Sequence, residues 1–141
     1  QCPFCGKFFR ESGSKIIEQY VKTGKVRFVY RDFAFLGPES VMAAEASRCA
    51  GDQSAFWQYH DYLFAHQQGE NQGTFSKEHL KEFAAILKLD GAKFNSCLDA
   101  GTHRDQVQKD LDLGRMLGVD GTPATFDNDK FFNGALPFEQ F

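Results

Sequence analysis

The motif Cys2-Pro3-Phe4-Cys5 constrains the fold of this chain more than any other part of its sequence. A helix can begin at Pro3, because the first helical position does not need a backbone N–H. The pattern that follows continues this helix to about Thr23. Unpaired N–H groups in the first turn and the helix dipole favour a thiolate over a thiol. We therefore expect a lowered pKa for Cys2, and we assign Cys2 as the nucleophile and Cys5 as the resolving thiol.

The next segments are predicted from hydrophobic periodicity. Alternating apolar residues favour a strand over 25–35, ended by Gly37-Pro38. The pattern over 38–117 is helical. We predict five helices in this block, beginning at Pro38, at Ser54, after the caps Ser76 and Asp90, and after the capping-box pattern Thr102-x-x-Asp105.

A hairpin and the start of another helix complete the pattern. Residues 124–127 and 130–133 are two short strand candidates around Asn128-Asp129, which is a hairpin turn signal. Residues 137–141 are predicted to begin a helix. A strand before Cys2 would complete the thioredoxin layout of strand, helix, strand, helical connection, hairpin and helix. We therefore expect an α/β, thioredoxin-like fold with a helical insertion, and interpret the chain as truncated at both ends.

The segment Val119-Asp120-Gly121-Thr122-Pro123 leads directly into the predicted hairpin. A proline after Thr122 at a strand entry favours a cis peptide bond, although an ordinary trans turn proline is the alternative. Such a loop can present a backbone edge to a peptide beside the cysteine pair. We expect Thr122 and Pro123, together with Pro3 and Phe4, to contact the substrate.

Composition excludes some classes of function. The 141 residues include 42% hydrophobic residues, which suits one domain with one core. A formal net charge of −3 gives no basic field for nucleic acid. No apolar run approaches the ~18 residues of a membrane span. We expect one thioredoxin-like domain over 1–141, with residues 38–117 as an insertion within it.

Several motifs together resemble the DsbA-like thioredoxin-fold proteins of bacteria. They are Cys2-Pro3-Phe4-Cys5, Tyr30-Arg31-Asp32-Phe33, Phe56-Trp57-x-Tyr59-His60, Gly121-Thr122-Pro123 and Gly134-Ala135-x-Pro137-Phe138. The resemblance implies dithiol–disulfide exchange outside the cytoplasm, with Cys2 as nucleophile, Cys5 as resolving thiol and Thr122-Pro123 as the cis-proline loop. It implies thiol- or disulfide-containing protein substrates and a membrane partner, linked to quinone, that reoxidises the pair.

Other expectations follow for location and assembly. The compartment is expected to be the periplasm or the exterior of the cell envelope, with the signal segment missing from this piece. We expect a monomer without a cofactor. The middle residue Phe4 offers no strong hydrogen bond, so Cys2 should be less acidic than in relatives with Cys-Pro-His-Cys.

Two further cysteines, Cys49 and Cys97, fall in the helical block. A structural disulfide between them is favoured in an oxidising compartment, and two buried free thiols are the alternative. Zinc is disfavoured, because the two residues lie far apart and no second C-x-x-C is present. The four histidines show no common ligand spacing and are expected to be surface or packing residues: His60, His66, His79 and His103.

Two other features have structural interpretations. Asp32 is expected to cap a turn, although it could accept a proton near the cysteine pair. The aromatic residues Trp57, Tyr59 and Phe64 are expected to belong to the core.

Three functions remain open from the sequence. The first is an oxidase or general disulfide exchanger for exported proteins. The second is a disulfide isomerase or reductase, which the sequence separates poorly from the first because redox poise depends on the partner. The third is a redox-inert peptide-binding or chaperone module, against which the intact Cys2 and Cys5 argue.

Overall fold

The first helix of the structure, a computed structural model that describes residues 1–141, begins at Pro3 as predicted. It consists of α1 (Pro3–Phe8), a π-helical stretch (Phe9–Gly13), α2 (Ser14–Ile16) and a second π-helical stretch (Ile17–Val21). Cys2 precedes it with a non-helical backbone, at φ −58° and ψ 122°. The Cys2 carbonyl accepts a hydrogen bond from the Gly6 N–H at 3.1 Å, which closes the first turn.

The strand predicted over residues 25–35 is not formed. The sheet contains only β1 (Ala124–Asp127) and β2 (Lys130–Asn133), and residues 26–35 carry no regular secondary structure. Alternation and aromatic content are local properties, whereas a strand is defined by a regular ladder of backbone hydrogen bonds to a neighbour. The local signal was therefore insufficient to place this segment in the sheet.

Five helices form the helical block, as predicted. They are α3 (Pro38–Gly51), α4 (Phe56–Ala65), α5 (Lys77–Ile86), α6 (Gly91–Ala100) and α7 (Arg104–Met116). Helix α3 starts after Gly37, whose φ of 105° disfavours any residue with a side chain. A Cβ at this position would also lie 2.8 Å from the side-chain amide of Asn71.

Two of the predicted helix caps are confirmed by the structure, and a third is wrong. The Ser76 Oγ accepts the His79 N–H at 3.3 Å, and Asp90 Oδ1 accepts the Lys93 N–H at 3.1 Å, so both predicted N-caps are confirmed. The predicted capping box at Thr102 is wrong, because α7 begins only at Arg104. Residues 101–103 form a turn instead.

The core of the helical block is built from α3, α4, α5 and α6. Tyr59, Leu80 and Phe94 are fully buried there, and Cys49 is 1% exposed. The Tyr59 hydroxyl donates a hydrogen bond to the Leu80 carbonyl at 2.8 Å, so its polar atom is satisfied inside the core.

The hairpin has the predicted strands and turn. Its antiparallel register pairs Ala124 with Asn133 and Asp127 with Lys130. Asn128 adopts a φ of 53° in the turn, a conformation that asparagine tolerates better than most residues.

Contacts between backbone segments divide the chain into two compact units. One contains Gln1 and Asp32–Leu113, and the other contains Cys2–Arg31 and Gly114–Phe141. None of the helices has the length and apolar character that a membrane span requires. The single domain over 1–141 with its insertion over 38–117 stays a prediction.

Candidate redox site

The two cysteines of the first motif lie at the start of α1, within the unit of Cys2–Arg31 and Gly114–Phe141. Both carry thiols and both are partly exposed to solvent. Pro3 occupies the first helical turn and is exposed, as is Phe4, whose side chain is 64% exposed. A macromolecular substrate can therefore reach this end of the helix.

Hydrogen bonds to Cys2 favour its ionised form. The pKa of the Cys2 thiol is lowered from 9.0 to about 5, chiefly by a hydrogen bond with the Cys5 thiol. The Thr122 side chain and the backbone N–H groups of Cys5 and Phe4 act in the same direction, while partial burial opposes them. These N–H groups belong to the first helical turn, whose donors have no partner within the helix. The lowered pKa expected from the position of Cys2 is thus present.

Cys5 has the opposite electrostatic character. Its pKa is raised, mainly because its thiol bonds to the Cys2 sulfur, and burial adds to the effect. One sulfur of the pair is therefore ionised near neutral pH while the other keeps its proton. This asymmetry is what a nucleophile and a resolving thiol require.

The loop before the hairpin lies in the same unit as the cysteine pair. The Thr122–Pro123 peptide bond is cis. The Thr122 carbonyl lies 3.4 Å from the Cys2 Sγ and accepts a hydrogen bond from it when the thiol is protonated. Pro123 is buried, and its own carbonyl accepts the Gly134 N–H at 2.8 Å, which ties the loop to the hairpin. The structure thus brings Cys2, Cys5 and Thr122 together.

The Asp32 carboxylate takes part in polar contacts with residues that are distant in sequence. Its Oδ2 accepts a hydrogen bond from Arg48 Nε at 2.6 Å, and Arg48 also bonds Asp110. Burial raises the pKa of Asp32, and the Arg48 charge opposes this shift. The turn-capping prediction is wrong, because residues distant in sequence supply the partners. Asp32 belongs to a buried charge cluster within the unit of Asp32–Leu113.

The second pair of cysteines is joined in a disulfide between α3 and α6. The Cα atoms of Cys49 and Cys97 are 5.9 Å apart. His103 lies beside this bond, and its Nε2 is 2.8 Å from Asp52 Oδ2. The grouping of Cys49, Asp52, Cys97 and His103 could not be predicted from the sequence, because these residues span about two thirds of the helical block and share no spacing pattern.

The aromatic cluster is only partly a core feature. Tyr59 is fully buried, but Trp57 is 46% exposed. The prediction that Trp57 belongs to the core is therefore wrong. Trp57 precedes Tyr59 by two positions, which places the two side chains on different faces of α4.

Comparisons with known proteins agree on the fold. Residues 1–141 match the family described as Thioredoxin. The disulfide bond formation protein D of Bacillus subtilis is 29% identical to this chain, and the match covers 99% of this chain and 64% of that protein. The crystal structure of oxidised BdbD from Bacillus subtilis matches with a TM-score of 0.89 and 28% identity, covering 99% of this chain and 77% of that one.

Some of the similar proteins are named as transporters. The Na(+)/H(+) antiporter NhaA 1 of Salinispora arenicola is 31% identical over 141 residues, which are 99% of this chain and 20% of the antiporter. The chain thus spans a fifth of the antiporter and less than two thirds of the Bacillus subtilis protein D.

Proposed function

Because the chain belongs to the thioredoxin family and has the DsbA-like form of its fold, we propose that it is a protein thiol:disulfide oxidoreductase that uses Cys2 and Cys5. The observation that carries this proposal is the opposite shift of the two pKa values, lowered at Cys2 and raised at Cys5. Neither a structural disulfide nor half of a metal site requires such an asymmetry.

The exchange proceeds through a mixed disulfide. With the pair oxidised, a substrate thiolate attacks the Cys2 sulfur, and the Cys5 sulfur leaves and takes up a proton. A second substrate thiolate then attacks the substrate sulfur of the mixed disulfide and releases the Cys2 thiolate. The substrate gains a disulfide, and the enzyme ends with a dithiol.

The lowered pKa of Cys2 favours this oxidising direction. A stable thiolate is a good leaving group in the second step, and it stabilises the reduced enzyme, which makes the disulfide a stronger oxidant. The pKa of about 5 lies above the ~3.5 of the strongest known oxidant of this kind. An oxidase of intermediate strength is the function that fits best, and an isomerase or reductase is the alternative.

Substrate contact is assigned to four residues around the pair: Pro3, Phe4, Thr122 and Pro123. Phe4 is the aromatic residue among these four, and it is 64% exposed. The same unit also exposes Met116, Phe126 and Phe131, which offer apolar surface to an unfolded polypeptide. We infer that exported proteins carrying thiols or disulfides are the substrates, that the protein works as a monomer outside the cytoplasm, and that a quinone-linked membrane partner reoxidises it.

Two measurements test the proposal. In an insulin reduction assay, the chain is expected to accelerate precipitation and a Cys2→Ser variant is not. Equal rates of precipitation for the two proteins would exclude the oxidoreductase and leave the redox-inert binding module. The equilibrium reduction potential then sets the direction, since about −120 mV indicates an oxidase and about −270 mV a reductase.

The antiporter similarity supports a second candidate. In this candidate the chain is the redox module of a membrane transport protein and acts on thiols of the same polypeptide. Carbonate washing of membranes from cells that make the complete natural polypeptide separates the two. Retention with the membrane supports the transporter module, and release supports the exchanger of exported proteins.

A further inference from the structure

Four potential metal ligands meet at the disulfide of the helical block. The Sγ atoms of Cys49 and Cys97 and a ring nitrogen of His103 all lie within 4.8 Å of one another. Asp52 Oδ2 is 2.8 Å from His103 Nε2 and 3.7 Å from Cys97 Sγ. The disulfide accounts for the two cysteines, but not for the imidazole and the carboxylate that lie beside it.

We propose that these four residues form a zinc site once the disulfide is reduced. Two thiolates, a neutral imidazole and a carboxylate are ligands that Zn²⁺ accepts in tetrahedral coordination. Metal–ligand bonds of about 2.0–2.3 Å place the ligand atoms roughly 3.5 Å from one another in a tetrahedron. Asp52 Oδ2 lies 2.8 Å from His103 Nε2 and 3.7 Å from Cys97 Sγ, and a His103 ring nitrogen lies within 4.8 Å of both sulfurs. Side-chain rotations of the two cysteines, released by cleavage of their bond, supply the remaining movement.

The surrounding fold holds the ligands in place. Cys49 is 1% exposed on α3 and belongs to the main core, and Asp52 directly follows that helix. Cys97 lies on α6, and His103 lies in the turn between α6 and α7. All four residues are in the unit of Asp32–Leu113.

One side of the group is open to solvent. The Asp52 side chain is 54% exposed and that of His103 is 23% exposed. A hydrated metal ion can therefore approach from the side of these two residues and reach the sulfurs.

Metal binding requires a reductant, which is a dithiol. The dithiol supplies two electrons and two protons, the Cys49–Cys97 bond breaks, and the dithiol becomes a disulfide. Zn²⁺ then displaces the two thiol protons into solvent and binds both thiolates. The oxidised pair cannot bind in this way, so bound zinc draws the exchange equilibrium towards the reduced pair. The site is thus a redox-controlled metal site that uses neither Cys2 nor Cys5.

The test uses a Cys2→Ser/Cys5→Ser variant, because the first dithiol could itself bind zinc. After reduction and anaerobic desalting, titration against a zinc-binding dye is expected to show one Zn²⁺ per chain. The oxidised variant is expected to bind none. Co²⁺ in place of zinc should give thiolate-to-metal charge-transfer absorption, which reports sulfur ligands directly.

Two histidine substitutions in the same background make the test specific. His103→Ala should weaken zinc binding about tenfold or more. His79→Ala is the matched control, since this histidine of α5 bonds the Gly73 carbonyl instead, and the substitution should leave the affinity unchanged. Zinc binding no greater than in a variant that also lacks Cys49 and Cys97 would overturn the proposal. An unchanged zinc affinity in the His103→Ala variant would also overturn it. This result is expected if reduction unfolds the chain and the two thiolates bind zinc without the folded site.

Discussion

The two cysteine pairs differ in the local structure that surrounds them. Cys2 and Cys5 are separated by one helical turn, lie at a helix start and are partly exposed. Cys49 and Cys97 are 48 residues apart, join two helices and include a fully buried sulfur. In the first pair, hydrogen bonds stabilise a thiolate, whereas in the second the chain itself is cross-linked. The first pair therefore suits the proposed exchange reaction, and the second pair connects two parts of the chain.

Substitution of the nucleophile Cys2 is expected to have the largest effect on activity, and it tests most directly whether the two cysteine pairs differ in function. Cys2→Ser should abolish insulin reduction to the uncatalysed rate, because no other sulfur in the chain combines a lowered pKa with exposure at a helix start. The matched control is Cys49→Ala/Cys97→Ala, which should keep most of the activity under conditions where it stays folded. Comparable loss in both variants would show that the pairs do not differ in function.

Removal of the second pair should mainly reduce stability. The disulfide closes a loop of 48 residues, and the chain-entropy estimate for such a loop is about 4 kcal/mol. Urea unfolding of Cys49→Ala/Cys97→Ala should show a loss of this order in the free energy of unfolding. With both proteins oxidised, the Cys2→Ser/Cys5→Ser variant is the control and should change far less, because this pair closes a loop of only a few residues. An equal loss in the control would contradict the assignment of a stabilising role to the second pair alone.

The sequence was most informative where the signals are local. The helix start at Pro3, the caps Ser76 and Asp90, and the Asn128 hairpin each depend on a few neighbouring residues, and all were predicted. The strand over 25–35 failed, because strand formation depends on a partner elsewhere in the chain. A local sequence pattern also does not predict which side chains from distant parts of the chain come into contact.

At the candidate sites, too, contacts between polar residues that are distant in sequence could not be predicted. Cys2, Cys5 and the Thr122-Pro123 loop could be predicted from motifs of adjacent residues. The contacts of Asp32 with Arg48 and of Asp52 with His103 could not, because they join residues 16 and 51 positions apart. Such pairs are created by helix packing, and no periodicity or spacing rule encodes them.

The pH dependence of stability should separate the reduced and oxidised forms of the first pair. The folded pKa of Cys2 is lowered from 9.0 to about 5, so ionisation favours the folded state of the reduced protein. This contribution is complete above the unfolded pKa and is lost as the pH falls towards 5. Cys5, whose pKa is raised, contributes in the opposite sense only at alkaline pH.

The measurement is a series of urea denaturations between pH 5 and pH 8. The reduced protein should gain stability relative to its own oxidised form as the pH rises, because the oxidised pair does not titrate. Cys2→Ser is the control and should remove the pH dependence that belongs to this thiol. A difference between reduced and oxidised protein that stays constant over the range would contradict the lowered pKa.

The smallest predicted effect concerns Phe4, whose exposed side chain offers no hydrogen bond to the Cys2 thiolate. Phe4→His places a donor beside it and should lower the pKa of Cys2 by up to about one unit, equivalent to roughly 1 kcal/mol of added thiolate stabilisation. The pH profile of Cys2 alkylation measures this shift, and the disulfide should become correspondingly more oxidising. Phe4→Leu is the matched control, because it replaces the ring without adding a donor. If both substitutions left the profile unchanged, the acidity of Cys2 would be set by Cys5, Thr122 and the helix backbone alone, and the residue between the cysteines would affect only substrate contact.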